Sequence, residues 1–128
     1  MNTATTLLNG VTLTTAAEVA AGAASTDLTA VAVNDVILEV TAVNGSTPPG
    51  NGKTVDVYVG WASTSISSNI PASVGPTAEK IKVQLSPVAS ETRVVMSAPT
   101  VKKARYAYAW YTHEELNSTV TLTVKVIS

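Results

Sequence analysis

From Asp35 onward, apolar and polar residues alternate in short runs. Val36, Leu38 and Val40 fall on one side of the first run, with Glu39 and Thr41 on the other. Val55, Val57, Val59 and Trp61 repeat this against Thr54, Asp56 and Tyr58, and Ile81, Val83 and Leu85 against Lys80, Lys82 and Gln84. The stretch Thr92 to Ser97 is rich in β-formers but alternates less clearly. Tyr106, Tyr108 and Trp110 share one side opposite Arg105, Ala107 and Ala109. Val120, Leu122, Val124 and Val126 close the chain against Thr119, Thr121, Thr123 and Lys125. Successive side chains of a strand point to opposite faces, so each run predicts a half-buried strand. Six such strands separated by turn residues predict an all-β fold of antiparallel sheets packed face to face, a β-sandwich.

The connections fit that reading. Asn44-Gly45 suits a turn, opening a loop that runs on through Pro48, Pro49, Gly50 and Gly52. Ser63 to Ala78, with Pro71, Gly75 and Pro76, reads as a long surface excursion of the length that is usually functional or mobile. Pro87 and Pro99 end two of the strands, since proline cannot donate within a ladder. Residues 1–34 differ: they read as an N-terminal arm or accessory strands, with 35–128 as the sandwich domain. One or two short strands are expected around Asn9-Gly10. Thr15-Ala16-Ala17-Glu18 has the spacing of a helix capping box, so a short helix to Gly22 competes with an extended segment or an arm ordered on a neighbouring subunit.

Composition narrows the chemistry. The 128 residues fit one domain and suffice for a core without cross-links. Zero cysteines remove disulfides, thiolate metal sites and cysteine nucleophiles. Eight Lys and Arg against nine Asp and Glu argue against a nucleic-acid partner, whose binding depends on neutralising phosphates. Only 13% of residues are charged, about half the usual share. Their place is taken by 31 Ser and Thr beside 19 Val and 18 Ala, a mixture that favours strands and uncharged surfaces. The first fifteen residues lack a basic region followed by an unbroken apolar run, so no secretory signal is expected. Nothing reaches the roughly 18 apolar residues of a membrane helix, and no membrane partner is expected.

Candidate sites are few. GNGKT, Gly50 to Thr54, resembles a phosphate loop, but Thr47 stands where the first glycine belongs and a strand pattern follows instead of a helix. His113 is the only histidine, beside Glu114 and Glu115, and is expected exposed in a turn, with no partner for acid-base work. The carboxylates Asp27, Asp35, Glu39, Asp56, Glu79 and Glu91 are scattered singly, neither the facing pair of a glycosidase nor a calcium cluster. No Gly-x-Ser-x-Gly turn is present. No enzyme activity, cofactor or metal is expected. The sequons at Asn44 and Asn117 are read as chance matches in a Ser- and Thr-rich chain. One basic-aromatic patch remains: Lys102, Lys103 and Arg105 beside Tyr106, Tyr108, Trp110 and Tyr111. With Trp61, these aromatics are the candidate partner-contact or ligand-facing residues, as core, subunit interface or a stacking face for carbohydrate.

An N-terminal TTLLNGVTLTTAAEVAAGAASTDL, then VILEVTAV, a VDVYVGWAS strand and a closing RYAYAWYTHEELNSTVTLTVKV give the chain a style of sequence that resembles small tailed-bacteriophage virion structural proteins. The resemblance implies a non-enzymatic, β-sandwich or jelly-roll-like protein located in the virion, most nearly a capsid decoration (cement) protein that binds and stabilises the capsid surface. Neck, tail or fibre-base proteins are the close variants, and a carbohydrate-binding module is the alternative of another class. The implied partners are further copies of itself, as a homo-oligomer with a trimer among the options, and a major capsid or other virion protein. Low charge fits such a role independently, because interface cores are depleted of charged residues.

Overall fold

The computed structural model describes residues 3–13, 18–21, 25–31, 35–65, 79–116 and 118–128. Ten strands follow one another: β1 (Ala4–Leu13), β2 (Glu18–Ala21), β3 (Thr26–Asp27), β4 (Asp35–Asn44), β5 (Thr54–Ala62), β6 (Glu79–Gln84), β7 (Thr92–Met96), β8 (Thr100–Val101), β9 (Tyr106–His113) and β10 (Val120–Ile127). They form two antiparallel sheets, a β-sandwich. One sheet runs β1-β10-β4-β7, with β8 prolonging β7 along β4. The other runs β2-β9-β5-β6, with β3 also pairing with β9. With β2 and β3, and β7 and β8, each taken as one interrupted strand, the pairings nest. The first strand pairs with the last, β1–β10; inside it lie β2–β9, then β4–β7, then β5–β6.

Period-two patterning decides what the sheets enclose. From the first sheet, Val36, Leu38 and Val40 of β4 and Val120, Leu122, Val124 and Val126 of β10 are fully buried. Val55, Val57 and Val59 of β5 and Val83 of β6 meet them from the second. Each such side chain contributes about 1.5–3 kcal/mol on leaving water. Leu28, Leu85 and Leu116, from the connections, complete the same core.

In the N-terminal segment the structure chooses among the alternatives. Of the one or two strands expected around Asn9-Gly10 it forms one, Ala4 to Leu13, with Asn9-Gly10 a bulge inside it. The register along β10 shifts between Thr6 and Leu8 and again between Leu8 and Val11. Gly10 takes φ of 62°, where a side chain is strained, and its N–H donates to Thr123 Oγ1 at 3.1 Å. The first shift, between Thr6 and Leu8, lets adjacent Leu7 and Leu8 both reach the core, which strict alternation forbids. The helix alternative fails at Glu18–Ala21, which pairs with Trp110–His113 of β9. A helix of that length makes too few bonds to offset nucleation, whereas a strand beside β9 is paired along its length. Leu28 and Val31 bury in the core behind β3, and Lys102 Nζ donates to the carbonyls of both at 3.0 and 2.9 Å. These segments therefore lie within the two sheets of their own chain. The loop expected from Ser63 to Ala78 falls, from residue 66, outside the described residues, as do Thr15, Ala16 and Ala17 of the capping box.

Candidate functional site

The central pair of the second sheet, β5 and β9, sorts the aromatic residues by size. In register, Trp61 faces Ala107 and Gly60 faces Tyr108. On the inner side Ala107 leaves room for the Trp61 indole; on the outer side Gly60 leaves room for the Tyr108 ring. A Cβ added to Gly60 would lie 2.5 Å from Tyr108 Cζ, so the ring rests directly on the glycine. The five candidate aromatics consequently part company. Trp61 and Tyr111 belong to the core, while Tyr106, Tyr108 and Trp110 point outward from the sandwich.

Those outward rings do not form a bare platform. Tyr58 stacks on Trp110 with centroids 5.3 Å apart and planes 14° apart, and Tyr108 stacks on Trp110 at 5.4 Å and 19°. The Lys80 ammonium lies 5.9 Å from the Tyr58 ring centre. Ring faces that a sugar or base would need are thus turned toward one another, and Trp110 is only 4% exposed. Tyr106 is half-buried, under the Arg105 guanidinium at 5.1 Å.

The basic patch read from Lys102, Lys103 and Arg105 dissolves in the same way. Lys102 is committed to the Leu28 and Val31 carbonyls. Lys103 pairs with Glu79, whose Oε1 also faces Thr100 Oγ1 at 3.5 Å. Arg105 forks onto Asp27, Nη2 to Oδ2 at 2.9 Å and Nε to Oδ1 at 3.3 Å. Asp27 also accepts from the Thr29 N–H at 2.9 Å and the Thr29 hydroxyl at 2.6 Å. The Arg105 hydrogen bonds, then those from Thr29, hold this carboxyl well below the usual carboxylate range.

His113 is buried rather than exposed in a turn: it ends β9 on the inner side, opposite Val55. Its Nδ1 lies 2.7 Å from the Glu114 carbonyl, a bond that needs the proton on Nδ1, and its ring stacks on Tyr111. The strand's alternation turns residue 113 inward with Tyr111, Ala109 and Ala107, which reading it as a turn residue overlooked. GNGKT is a loop entering β5; its Lys53 carbonyl accepts from Leu85 N–H at 2.9 Å. Among the described residues no group of three or more His, Asp or Glu converges to hold a metal. No described helix is long and apolar enough to cross a membrane.

The surface that stands out lies on the first sheet and was not singled out by the sequence. Among the described residues the large exposed hydrophobics are Val43, Val88, Val94, Met96 and Val101, and all of them lie on or beside β7 and β8. Val94 faces Thr41 on β4, Met96 faces Glu39, and Thr92 faces Val43. Val101 faces the exposed Asp35. The outer face of this sheet continues inward as two uncharged rows, Val94-Thr41-Thr123 and Thr92-Val43-Thr121-Thr12, beside a charged one, Met96-Glu39-Lys125-Thr6. A groove of about 430 Å³ separates β7 from β6, bordered by Glu79–Lys82 and Val95–Thr100, with Glu79 its only carboxylate.

Buried Asn44 holds the loop that leads into β7. Its side-chain amide donates to the Ser86 and Val88 carbonyls at 2.8 Å each, and its own N–H donates to the Glu91 carbonyl at 3.0 Å. An asparagine ending an alternating strand carries no mark of this role in sequence. The chain matches no family model and no curated protein.

Proposed function

We propose that this chain is a non-enzymatic assembly protein, of the kind that decorates and stabilises the capsid of a tailed bacteriophage. The observation that carries the reading is the cluster of exposed apolar residues, among those described, on the outer face and edge of the first sheet, Val43, Val94, Met96 and Val101, with only Glu39 and Asp35 as charged cross-strand neighbours. Valine gains on leaving water, and threonine, once its hydroxyl keeps a hydrogen bond, is far cheaper to bury than an ion, so such a face packs against another protein at a lower desolvation cost than a charged one. The nested strand pairing supports the finer reading of a jelly roll, an architecture used by viral capsid domains and also by lectins. Fold alone does not choose between them. The aromatic row favours the first, because Tyr58, Trp110 and Tyr108 spend their ring faces on one another.

An antibody to the chain tests the reading. It is expected to label the heads of particles whose genome encodes this protein, evenly over the shell. Label confined to the neck, tail or fibre base would move the protein to another virion component. Unlabelled particles, with a sugar bound at Tyr106 and Tyr108 in a glycan screen, would overturn the virion assignment.

A further inference from the structure

A sandwich of open sheets has edges, and an unpaired edge invites another strand unless something blunts it. In this molecule three of the edges are blunted. β1 carries the Gly10 bulge and two register shifts. β6 carries Lys80 and Lys82. β2 and β3 are short, separate pieces. The edge formed by β7 carries one charge, Arg93, beside Ala42 on the inner side, but along Val94-Val95-Met96 it has neither bulge nor charge, and no described strand lies on its far side. It is also where the exposed large hydrophobics gather.

The backbone of β7 specifies how that edge can be met. Ser97 N–H donates to the Leu38 carbonyl and Asn44 N–H donates to the Glu91 carbonyl, which fixes the hydrogen-bonded positions of the β4–β7 ladder. Alternation then gives Arg93 and Val95 to β4, while the N–H and C=O groups of Thr92, Val94 and Met96 point away to the open side. We infer that the partner on this edge is the β7 strand of a second copy, antiparallel and centred on Val94. In that register Val94 opposes Val94, and Thr92 opposes Met96 in both directions. Every outward donor of one copy meets an outward acceptor of the other. A shift of one residue would set these groups against strand positions already bonded to β4. The same register places the half-exposed Val94 side chains against each other, and Met96 beside Thr92, on the outer face. The pairing is isologous, generates a two-fold dimer and joins the two first sheets into one.

This inference rests on reading the chain as an assembly protein, and it names one of its partners. Light scattering over a dilution series of the full chain tests it. The mass is expected near twice 13.2 kDa at high concentration, falling toward that value on dilution. Val94→Pro removes the central outward N–H without touching a bond to β4, and Val94→Lys sets two ammonium groups opposite each other. Both variants are expected to remain at half the wild-type mass with unchanged circular dichroism. A wild-type monomer at every concentration, a trimer, or a dimer that survives both folded variants would overturn the inference. None of these results depends on a shell, and the labelling of particles does not depend on how copies pair, so the two readings fail separately.

Discussion

At the residue scale, Asn44 and Asp27 show how much of this molecule is held by single polar groups. Asn44 is buried and donates to two loop carbonyls. Replacing it with alanine leaves both acceptors without that donor, which costs about 1–3 kcal/mol for a buried polar group. Asn44→Ala is therefore expected to lower the unfolding free energy from urea titration by that amount and to raise hydrogen exchange at Val88 and Ser90 first. Asp27 lies at the surface, where Arg105 and Thr29 depress its pKa. Its contribution is present above the unfolded carboxylate pKa of about 3.9 and is lost as pH falls through the folded value. The stability difference between the wild type and Asp27→Asn is expected to be constant near neutrality and to shrink below about pH 4. A difference that grows on acidification would contradict the assigned contacts.

At the scale of elements, alternation was enough to place β4, β5, β6 and β10, since Val36, Leu38, Val55, Val57, Val83 and Leu122 turn inward as their spacing requires. The same period could not say which side of β9 is inner, because it offers an aromatic face and a small face with equal regularity. The answer lay in the partner strand: Gly60 opposite Tyr108 and Trp61 opposite Ala107 set the large residues on opposite sides. It said less about the N-terminal segment, where β1 is bulged, β2 and β3 are short, and the partners lie about a hundred positions away. An independent arm would leave the sandwich folded when removed. Leu7, Leu8, Leu13 and Leu28 are instead core residues, and each large-to-small loss of this kind costs about 2–5 kcal/mol. Deleting the first 30 residues is accordingly expected to abolish cooperative unfolding, because domain stability is only about 5–15 kcal/mol. A truncated chain with a sharp melting transition would show that the segment is dispensable.

At the scale of the whole molecule, two sheets close a valine-rich core and present unlike outer faces. One carries aromatic rings that cover one another, with Lys80 and Arg105 laid over them. The other carries threonine rows that end in an apolar, unguarded edge. The weak alternation of Thr92 to Ser97 was the one sequence signal of that edge: an interior strand sorts its residues by side, whereas β7 exposes Val94 and Met96 on the side where its neighbour has Glu39 and Thr41. How the molecule assembles turns on whether β7 ends its sheet or continues it into a second copy. Residue-resolved hydrogen exchange on the concentrated full chain decides this. Protection of Thr92, Val94 and Met96 to the level of Arg93 and Val95, fading on dilution, is the expected result. Protection restricted to Arg93 and Val95 at every concentration would contradict it.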